Sequence, residues 1–406
     1  MGLRVFERGK GIMLKKYKGT ICACFIGYIV QAIVNNFVPL LFLTFQSQYG
    51  ISLSKITMLV TFNFGLQILI DLLSVTFVDK IGYRFSAILA HIFSAAGFVL
   101  LTILPELTKD PFHGILIAVM IYAIGGGLLE VLISPIVEAC PSDNKEKTMS
   151  LLHSFYCWGH VGVVLLSTLF FAIFGIRNWK ILALFWALIP VLNTFMFSKV
   201  PIAHLIAEDE EGLSMKELLK EKLFWIFIVL MICSGASEQA VSQWASTFME
   251  NGLHISKTLG DLIGPMAFAI CMGTARALYG KYGDRIKLES FMTMSALACI
   301  ASYIIIGLLD IPIIGVIGCS ICGFAVGIMW PGTFSMSAAR IRNGGTTMFA
   351  LMALAGDLGC AGGPTLVGMV SDSFSENLRI GILAAIVFPL VLLIGIWLLK
   401  RDETRE

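Results

Sequence analysis

The chain has 406 residues, of which 57% are hydrophobic and only 14% charged, and its formal net charge at pH 7 is +2. Because a soluble globular domain carries about 25% charged residues, this composition excludes a disordered chain, a collagen, a coiled coil and an ordinary cytosolic enzyme. The small net charge gives no reason to expect a nucleic-acid partner, so the class that remains is a polytopic membrane protein.

Twelve stretches of the chain reach the roughly 20 apolar residues that a helix needs to cross the hydrocarbon core of a bilayer. They predict an all-α membrane protein with twelve transmembrane helices. In chain order, the predicted spans are 19–46, 54–78, 85–104, 113–137, 147–174, 179–198, 223–249, 258–278, 287–308, 311–338, 345–371 and 378–399.

The longest polar connection contains the acidic run 208–211 and divides the predicted spans into six and six. Its position is typical of a linker between two halves. The predicted organisation is a cytoplasmic N-terminal segment (1–18), an N-terminal six-helix bundle (19–198), a cytoplasmic linker (199–222), a C-terminal six-helix bundle (223–399) and a cytoplasmic tail (400–406).

The orientation in the membrane follows from the distribution of lysine and arginine. Of the 29 basic residues, 22 lie on one side of the predicted spans and 6 on the other, and Arg276 lies within a span. Because cytoplasmic loops carry the excess of positive charge, this asymmetry predicts a multi-pass protein of the cytoplasmic membrane with both termini in the cytoplasm. It also favours an even number of spans, since a missed helix would disturb the alternation.

The two halves of the sequence repeat one another in register. Residues of the first span recur in the seventh at a constant offset of 208: Gly27 and Gly235, Gln31 and Gln239, Ala32 and Ala240, Ile33 and Val241, and Asn35 and Gln243. Gly159 and Gly162 match Gly359 and Gly362 at an offset of 200, and Asp79-Lys80 matches Asp284-Arg285 at an offset of 205. These matches predict two pseudo-symmetric six-helix bundles, which are typical of secondary transporters with a solute site near the membrane midplane.

The loop after the second span carries a family motif. In the major facilitator superfamily this loop reads roughly G-x-x-x-D-[RK]-x-G-[RK], and the chain matches it at Asp79, Lys80, Gly82 and Arg84, with Val75 in place of the leading glycine. The chain therefore resembles this superfamily over essentially its full length. The resemblance implies the major facilitator fold and secondary transport by alternating access.

Three further stretches resemble the fucose-permease-like group of sugar:proton symporters within that superfamily. They are Gly126–Glu130 in the fourth span, His153–Tyr156 in the fifth and Glu238–Trp244 in the seventh. The resemblance implies a role in proton coupling for Glu130, because a glutamate at the matching position has that role in the group. The group can also use an acid in helix 1, where this chain has Asn35 and Asn36 instead.

Polar side chains recur at helical spacing within the predicted spans. Amides supply directional hydrogen bonds and aromatic rings supply a flat apolar face, a combination that suits hydroxyl-rich rings. The alternative for a single amide is a contact between helices, worth about 0.6 kcal/mol on average. The predicted solute-binding residues are Gln31, Asn35, Asn36, Asn63, Gln67, His153, Tyr156, Gln239, Gln243, Trp244 and Asp357.

Glu130 is the leading candidate for a functional carboxylate. It lies in the middle of an apolar run, where a charged group costs about 2.5–3.5 kcal/mol on insertion scales. A group placed there at such a cost needs either a partner or a use. We expect Glu130 to accept and release a proton during transport, and the alternative is a permanent ion pair with a basic group. The roles of Asp71, Glu238 and Arg276, structural or functional, stay open at this point.

The charged motifs at the cytoplasmic ends of the second and eighth spans predict a gate. An anion near a helix C-terminus is disfavoured by the helix dipole, so Asp79 requires a nearby cation. We expect these residues to hold the two halves closed on the cytoplasmic side, whereas a simple orientation signal is the alternative. The predicted gating residues are Asp79, Lys80, Gly82, Arg84, Asp284 and Arg285.

These observations predict a proton-coupled symporter of a small polar solute such as a sugar, with sodium left open as the coupling ion. The alternatives are proton-coupled efflux of lipophilic or cationic drugs and a non-transporting receptor or scaffold of the same fold. No enzyme motif is present, and Cys319 and Cys322 lie in an apolar run without a second ligand pair. We therefore expect no catalytic residue, no metal and no cofactor, and a monomer embedded in the lipid bilayer.

Overall fold

The computed structural model describes residues 2–203, 212–245, 248–249, 257–309, 311–375 and 377–403, without the side chains of 2–15, 43, 53–54, 56–57, 79, 257–263, 312 and 402–403. Over these residues, the regular structure consists of helices and no strand is present. Three short 3₁₀ turns, Val38–Leu41, Ile176–Asn178 and Gly283–Arg285, connect longer elements.

The α-helices are numbered here in chain order. The N-terminal part contains α1 Gly2–Asn36, α2 Phe42–Tyr49, α3 Leu53–Ile81, α4 Tyr83–Leu107, α5 Pro111–Ala139, α6 Lys145–Phe174 and α7 Trp179–Lys199. The C-terminal part contains α8 Met215–Leu218, α9 Lys222–Ser242, α10 Lys257–Tyr282, α11 Leu288–Leu308, α12 Pro312–Val326, α13 Met329–Arg340, α14 Gly345–Ser373, α15 Leu378–Ala384 and α16 Val387–Glu403.

Eleven helical stretches within the described residues are long and apolar enough to cross a membrane. They match eleven of the twelve predicted spans. The remaining predicted span, 258–278, coincides with helix α10, whose first side chains lie outside the described residues. The all-α fold with twelve membrane helices is therefore confirmed.

In three of the predicted spans the helix is interrupted one turn before a proline. In a fourth, 223–249, the helix ends at Ser242. Helix α1 ends at Asn36 ahead of Pro39, α12 gives way to α13 ahead of Pro331, and α15 gives way to α16 ahead of Pro389. A proline has no N–H to donate to the carbonyl four residues earlier, and its ring clashes with that carbonyl. The prolines thus set where these spans break.

The chain divides into two compact units by its contacts. The first unit consists of residues 1–143, 158–212 and 345–350, and the second consists of residues 144–157, 213–344 and 351–406. Each unit is described by itself below. The bundle limits 19–198 and 223–399 stay predictions.

The first unit contains a dry aromatic and aliphatic core. The rings of Phe98 on α4 and Tyr122 on α5 stack with centroids 5.1 Å apart, and both side chains are almost completely buried. Helices α4 and α5 approach so closely that a Cβ at Gly125 would lie 2.5 Å from the Ala90 carbonyl oxygen. Interiors pack at crystal-like density, and this close helix pair holds α5, which carries Glu130, against α4.

In the second unit, small residues bring helices α9 and α14 together. A Cβ at Gly359 would lie 2.1 Å from the carbonyl oxygen of Ile232, and a Cβ at Gly363 would lie 2.4 Å from that of Ala236. Membrane helices associate through such small residues because lipid offers no hydrophobic driving force between them. Gln239 on α9 and Asp357 on α14 are therefore carried by one close helix pair.

Candidate functional site

The first unit contains a buried group of polar side chains from three helices, called the polar cluster below. Residues of α1, α3 and α5 form it. All except Asn35 and Glu130 are buried, and those two are half-buried. The members of the polar cluster are Gln31, Asn35, Asn63, Gln67, Asp71 and Glu130.

Glu130 on α5 accepts a hydrogen bond from a neutral amide. The Nε2 of Gln31 on α1 donates to its Oε2 at 2.9 Å. The carboxylate of Asp71 on α3 has an oxygen within 4.8 Å of an oxygen of Glu130, and Asp71 is fully buried. Two carboxyl groups from neighbouring helices thus lie beside one amide.

The spacing along each helix explains why these side chains converge. Asn63, Gln67 and Asp71 are four residues apart, which places them on one face of α3. Opposite them, a Cβ at Gly127 of α5 would lie only 3.1 Å from the Cα of Gln67. Because glycine removes that obstacle, α3 approaches α5 closely one turn before Glu130.

The amides of the polar cluster are linked through Asn35. Gln67 Nε2 donates to Asn35 Oδ1 at 2.8 Å, and Asn63 Nδ2 donates to the same oxygen at 3.4 Å. The Oδ1 of Asn63 is buried and has no hydrogen-bond partner among the described residues. Asn35 and Asn63 also line a cavity of about 20 Å³, which is large enough for one water molecule. This end of the cluster therefore offers an acceptor to a hydroxyl group.

Asn36 is hydrogen-bonded within its own helix, and the structure adds Tyr28, which sequence reasoning missed. Asn36 Nδ2 donates to the carbonyl of Ala32 in its own helix. The hydroxyl groups of Tyr28 on α1 and Ser134 on α5 lie 2.8 Å apart and are buried. Tyr28 lies one turn before Gln31 and therefore on the same face of α1. That spacing could have predicted Tyr28 as a neighbour of the polar cluster.

The predicted solute-binding residues of the second unit differ in burial and in their contacts. Trp244 follows the end of α9 and its Nε1 donates to the carbonyl of Pro364 at 3.0 Å. His153 is buried with its ring 5.9 Å from that of Phe334. Gln239 Nε2 donates a hydrogen bond to Glu238 Oε1 at 3.4 Å. Gln243 is exposed, whereas Tyr156 and Asp357 are half-buried.

Arg276 is the centre of a buried network in the second unit. Its guanidinium donates to Glu238 Oε2 at 3.2 Å, to the carbonyl of Gly327 at 2.7 Å and to the carbonyl of His153 at 3.2 Å. Gly327 lies four residues before Pro331, so its carbonyl lacks a helical N–H donor. Arginine has several donors in a fixed geometry and can satisfy such carbonyls together. Arg276 thus has three oxygen acceptors for its hydrogen bonds within the second unit.

Some of the predicted gating residues form ion pairs or hydrogen bonds in the structure. Asp284 forms an ion pair with Lys147 and accepts a hydrogen bond from Asn144 at 3.0 Å. These two donors hold the pKa of the Asp284 carboxyl below its usual range, with the hydrogen bond from Lys147 as the largest cause. Tyr279 donates to Glu146 at 2.8 Å. Residues 144–147 thus contact the C-terminal end of α10.

The corresponding motif of the first unit is only partly described. The side chain of Asp79 lies outside the described residues, Lys80 is exposed, and Arg285 of the second unit is exposed as well. Gly82 has a φ of 86°, a conformation that a side chain disfavours, and it separates α3 from α4. Arg84 donates to the carbonyl of Phe197 at 2.8 Å.

Solved structures share this fold at low sequence identity. The fucose:proton symporter FucP of E. coli is 15% identical, with a TM-score of 0.78, and the alignment covers 94% of this chain and 99% of that one. The proton:xylose symporter XylE is 13% identical, with a TM-score of 0.79 and coverage of 94% and 95%. The human organic anion transporter MFSD10 is 16% identical, with a TM-score of 0.70 and coverage of 93% and 99%.

Sequence comparison gives the family. No curated protein matches the chain in sequence. A family model described as Major Facilitator Superfamily matches residues 21–364, which is well over half of the chain. The fold, the span pattern and this match agree with one another. The chain is therefore a multi-pass membrane transporter, not an enzyme, and belongs to the Major Facilitator Superfamily.

Proposed function

We propose that the protein moves a small polar solute, a sugar or a sugar-like molecule, across the cytoplasmic membrane by alternating access, coupled to protons through Glu130. The observation that carries this proposal is the polar cluster. In it, Asn35 links the amides of Asn63 and Gln67, and Gln31 donates to Glu130, which lies close to Asp71. In this proposal both termini are cytoplasmic, as the distribution of basic residues indicates.

The amides support a neutral, hydroxyl-rich solute. Each amide offers donors and acceptors without charge, and Asn63 retains a buried acceptor that has no partner among the described residues. A solute hydroxyl that donates to this oxygen would remove the cost of leaving it unsatisfied. The names of two similar structures, a fucose:proton symporter and a proton:xylose symporter, are compatible with such a solute.

The position of Glu130 supports proton coupling. It is half-buried within a membrane span and accepts one hydrogen bond from the neutral amide of Gln31. A neutral partner lets a carboxyl gain a proton without leaving a buried cation uncompensated. The carboxylate of Glu238 pairs directly with the guanidinium of Arg276. We therefore assign the coupling role to Glu130 and a structural role to Glu238.

The ion pair of Asp284 with Lys147 supports a cytoplasmic gate in the proposed cycle. The pair joins the N-terminal end of α6 to the end of α10. The side chain of Asp284 is 62% exposed, so the pair is accessible to water and breaks at small cost. A gate has to open in every cycle, and a weak, exposed pair fits that requirement.

The test is uptake of radiolabelled neutral sugars by proteoliposomes that contain the purified chain. A thermal-shift screen of sugars, amino acids and nucleosides first selects the solute, because a bound ligand raises stability by mass action. We expect an imposed proton gradient, acid outside, to drive accumulation of that solute. Net movement of a lipophilic cation outward, with no sugar uptake, would instead assign the chain to drug efflux.

The matched variants are Glu130→Gln and Glu138→Gln, which change carboxyl groups on the same helix. Glu130→Gln should abolish accumulation driven by the proton gradient but retain exchange of the solute. Glu138→Gln should retain both activities. Accumulation against a gradient by Glu130→Gln would show that the coupling proton binds elsewhere.

A further inference from the structure

We propose that Asp71 and Glu130 form a single proton-binding pair completed by the amide oxygen of Gln31, so that one coupling proton is shared by two helices. This inference rests on the proposed function and deepens it, because it replaces one coupling carboxyl with two. It assigns a role to Asp71. The position of Asp71 in the second span did not by itself show whether this residue is structural or functional.

The two carboxyl groups of the pair lie close together. Oxygens of the two carboxyl groups lie within 4.8 Å of one another. Asp71 is completely buried and Glu130 is half-buried. Two carboxylates so close together in a poorly solvated place interact strongly, and such pairs titrate as a unit in which the first proton is retained by both.

The amide oxygen of Gln31, beside the pair, lacks a hydrogen-bond donor among the described residues. Gln31 is 3% exposed, and its Nε2 donates to Glu130 while its Oε1 has no hydrogen-bond partner among the described residues. A buried acceptor without a donor is costly. The O–H of a protonated carboxyl is a donor, and a rotation of the Gln31 amide by half a turn would present Oε1 to Glu130.

The proton balance is simple. Uptake forms one O–H bond on a carboxyl oxygen of the pair and changes its charge from two negative to one negative. Release on the other side of the membrane breaks that bond and returns the proton to water. The amide of Gln31 can donate to the ionised state and accept from the protonated state, since it carries both a donor and an acceptor.

Other titratable groups lie on the elements around the pair. They are Tyr28 on α1, His91 on α4, Glu138 on α5 and His160 on α6. His91 is hydrogen-bonded to the carbonyl of Ala87 and to Asn193. Glu138 is eight residues from Glu130, about 12 Å along the helix. Asp357 belongs to the second unit and is included in the experiment below.

The test is a pH titration of the full-length protein in lipid nanodiscs, followed by the infrared band of the protonated carboxyl group. It needs no solute. In the wild type we expect the pair to bind or release one proton per chain, seen as one protonated carboxyl band. Asp71→Asn and Glu130→Gln should each move the midpoint of the remaining band by about one pH unit or more. The double variant should lose the band.

The controls decide between the possible partners. Glu138→Gln should leave the midpoint unchanged. A midpoint that Asp71→Asn does not move would overturn the pair, and so would a larger shift in Asp357→Asn than in Asp71→Asn. Loss of the band on addition of sodium chloride, but not of choline chloride, would show a sodium site and would also overturn the proposal. If Asp71→Asn does not fold, Glu130→Gln provides the same measurement on Asp71.

The outcome is separate from that of the proposed function. Linked midpoints without sugar uptake would retain the pair and remove the sugar from the proposal. Proton-driven sugar uptake that is lost in Glu130→Gln, with no shift in Asp71→Asn, would retain the proposed function and remove the pair.

Discussion

The buried ion pair of Arg276 and Glu238 gives the sharpest stability prediction. The two side chains are 4% and 14% exposed, with Nη2 and Oε2 3.2 Å apart. At an effective dielectric constant of 20, two unit charges at this separation attract by about 5 kcal/mol, and removal from water costs several kcal/mol per ion. The pair is therefore close to neutral in net free energy, but either ion alone is strongly unfavourable.

We expect Arg276→Met and Glu238→Gln each to lower the free energy of unfolding by about 3–5 kcal/mol. The double variant should be less destabilised than the sum of the two, because it leaves no buried ion without its partner. The double variant still loses the donors to the carbonyls of Gly327 and His153, so recovery should be incomplete. Thermal unfolding of the four purified proteins in one detergent measures the cycle.

The chain offers a matched control in Arg340 and Glu289. Their Nη2 and Oε1 atoms are also 3.2 Å apart, but the side chains are 16% and 25% exposed. Because water reaches this second pair more easily, Arg340→Met and Glu289→Gln should cost less than the corresponding changes at the first pair. Equal costs at both pairs, or additive losses in the double variant of Arg276 and Glu238, would refute the argument from burial.

The remaining predictions concern helix packing and the proposed gate. Gly359→Ala should destabilise the protein by about 1–3 kcal/mol, because a Cβ there would lie 2.1 Å from a carbonyl oxygen. Gly162→Ala is the control: a Cβ at Gly162 would meet nothing within 4 Å, so this variant should be neutral in thermal unfolding. Asp284→Asn should shift the protein toward conformations open to the cytoplasm, as measured by spin-label distances, and the exposed Lys281→Gln is the control. Equal distances in all three proteins would contradict a gate. Because the pKa of Asp284 is lowered, its pair with Lys147 is complete above the ordinary carboxyl pKa and is lost as the pH falls through the lowered value. The same spin-label distances in the wild type should therefore change only under acid conditions. A change at neutral pH would contradict this assignment.

Much of the fold follows from short-range physics that the sequence contains. A transmembrane helix satisfies its own backbone hydrogen bonds, so a run of about 20 apolar residues is enough to predict it. The twelve spans, the duplication at an offset near 205 residues and the family motif at Asp79 and Gly82 were readable for this reason. The three interrupted spans contain Pro39, Pro331 and Pro389, but five other prolines lie inside continuous helices. A proline therefore did not predict a break by itself.

The partners of the charged residues were decided only by tertiary structure. Helical spacing placed Asn63, Gln67 and Asp71 on one face, but it contained no information on which helix would lie opposite. The close approach at Gly127 brings Asp71 to Glu130, and the fold pairs Glu238 with Arg276, which is 38 residues away in the chain. Electrostatic and hydrogen-bond energies depend on distances between helices, whereas hydropathy depends on the residues of one helix alone. For this reason the sequence determined the spans, and the structure decided how their polar side chains are paired.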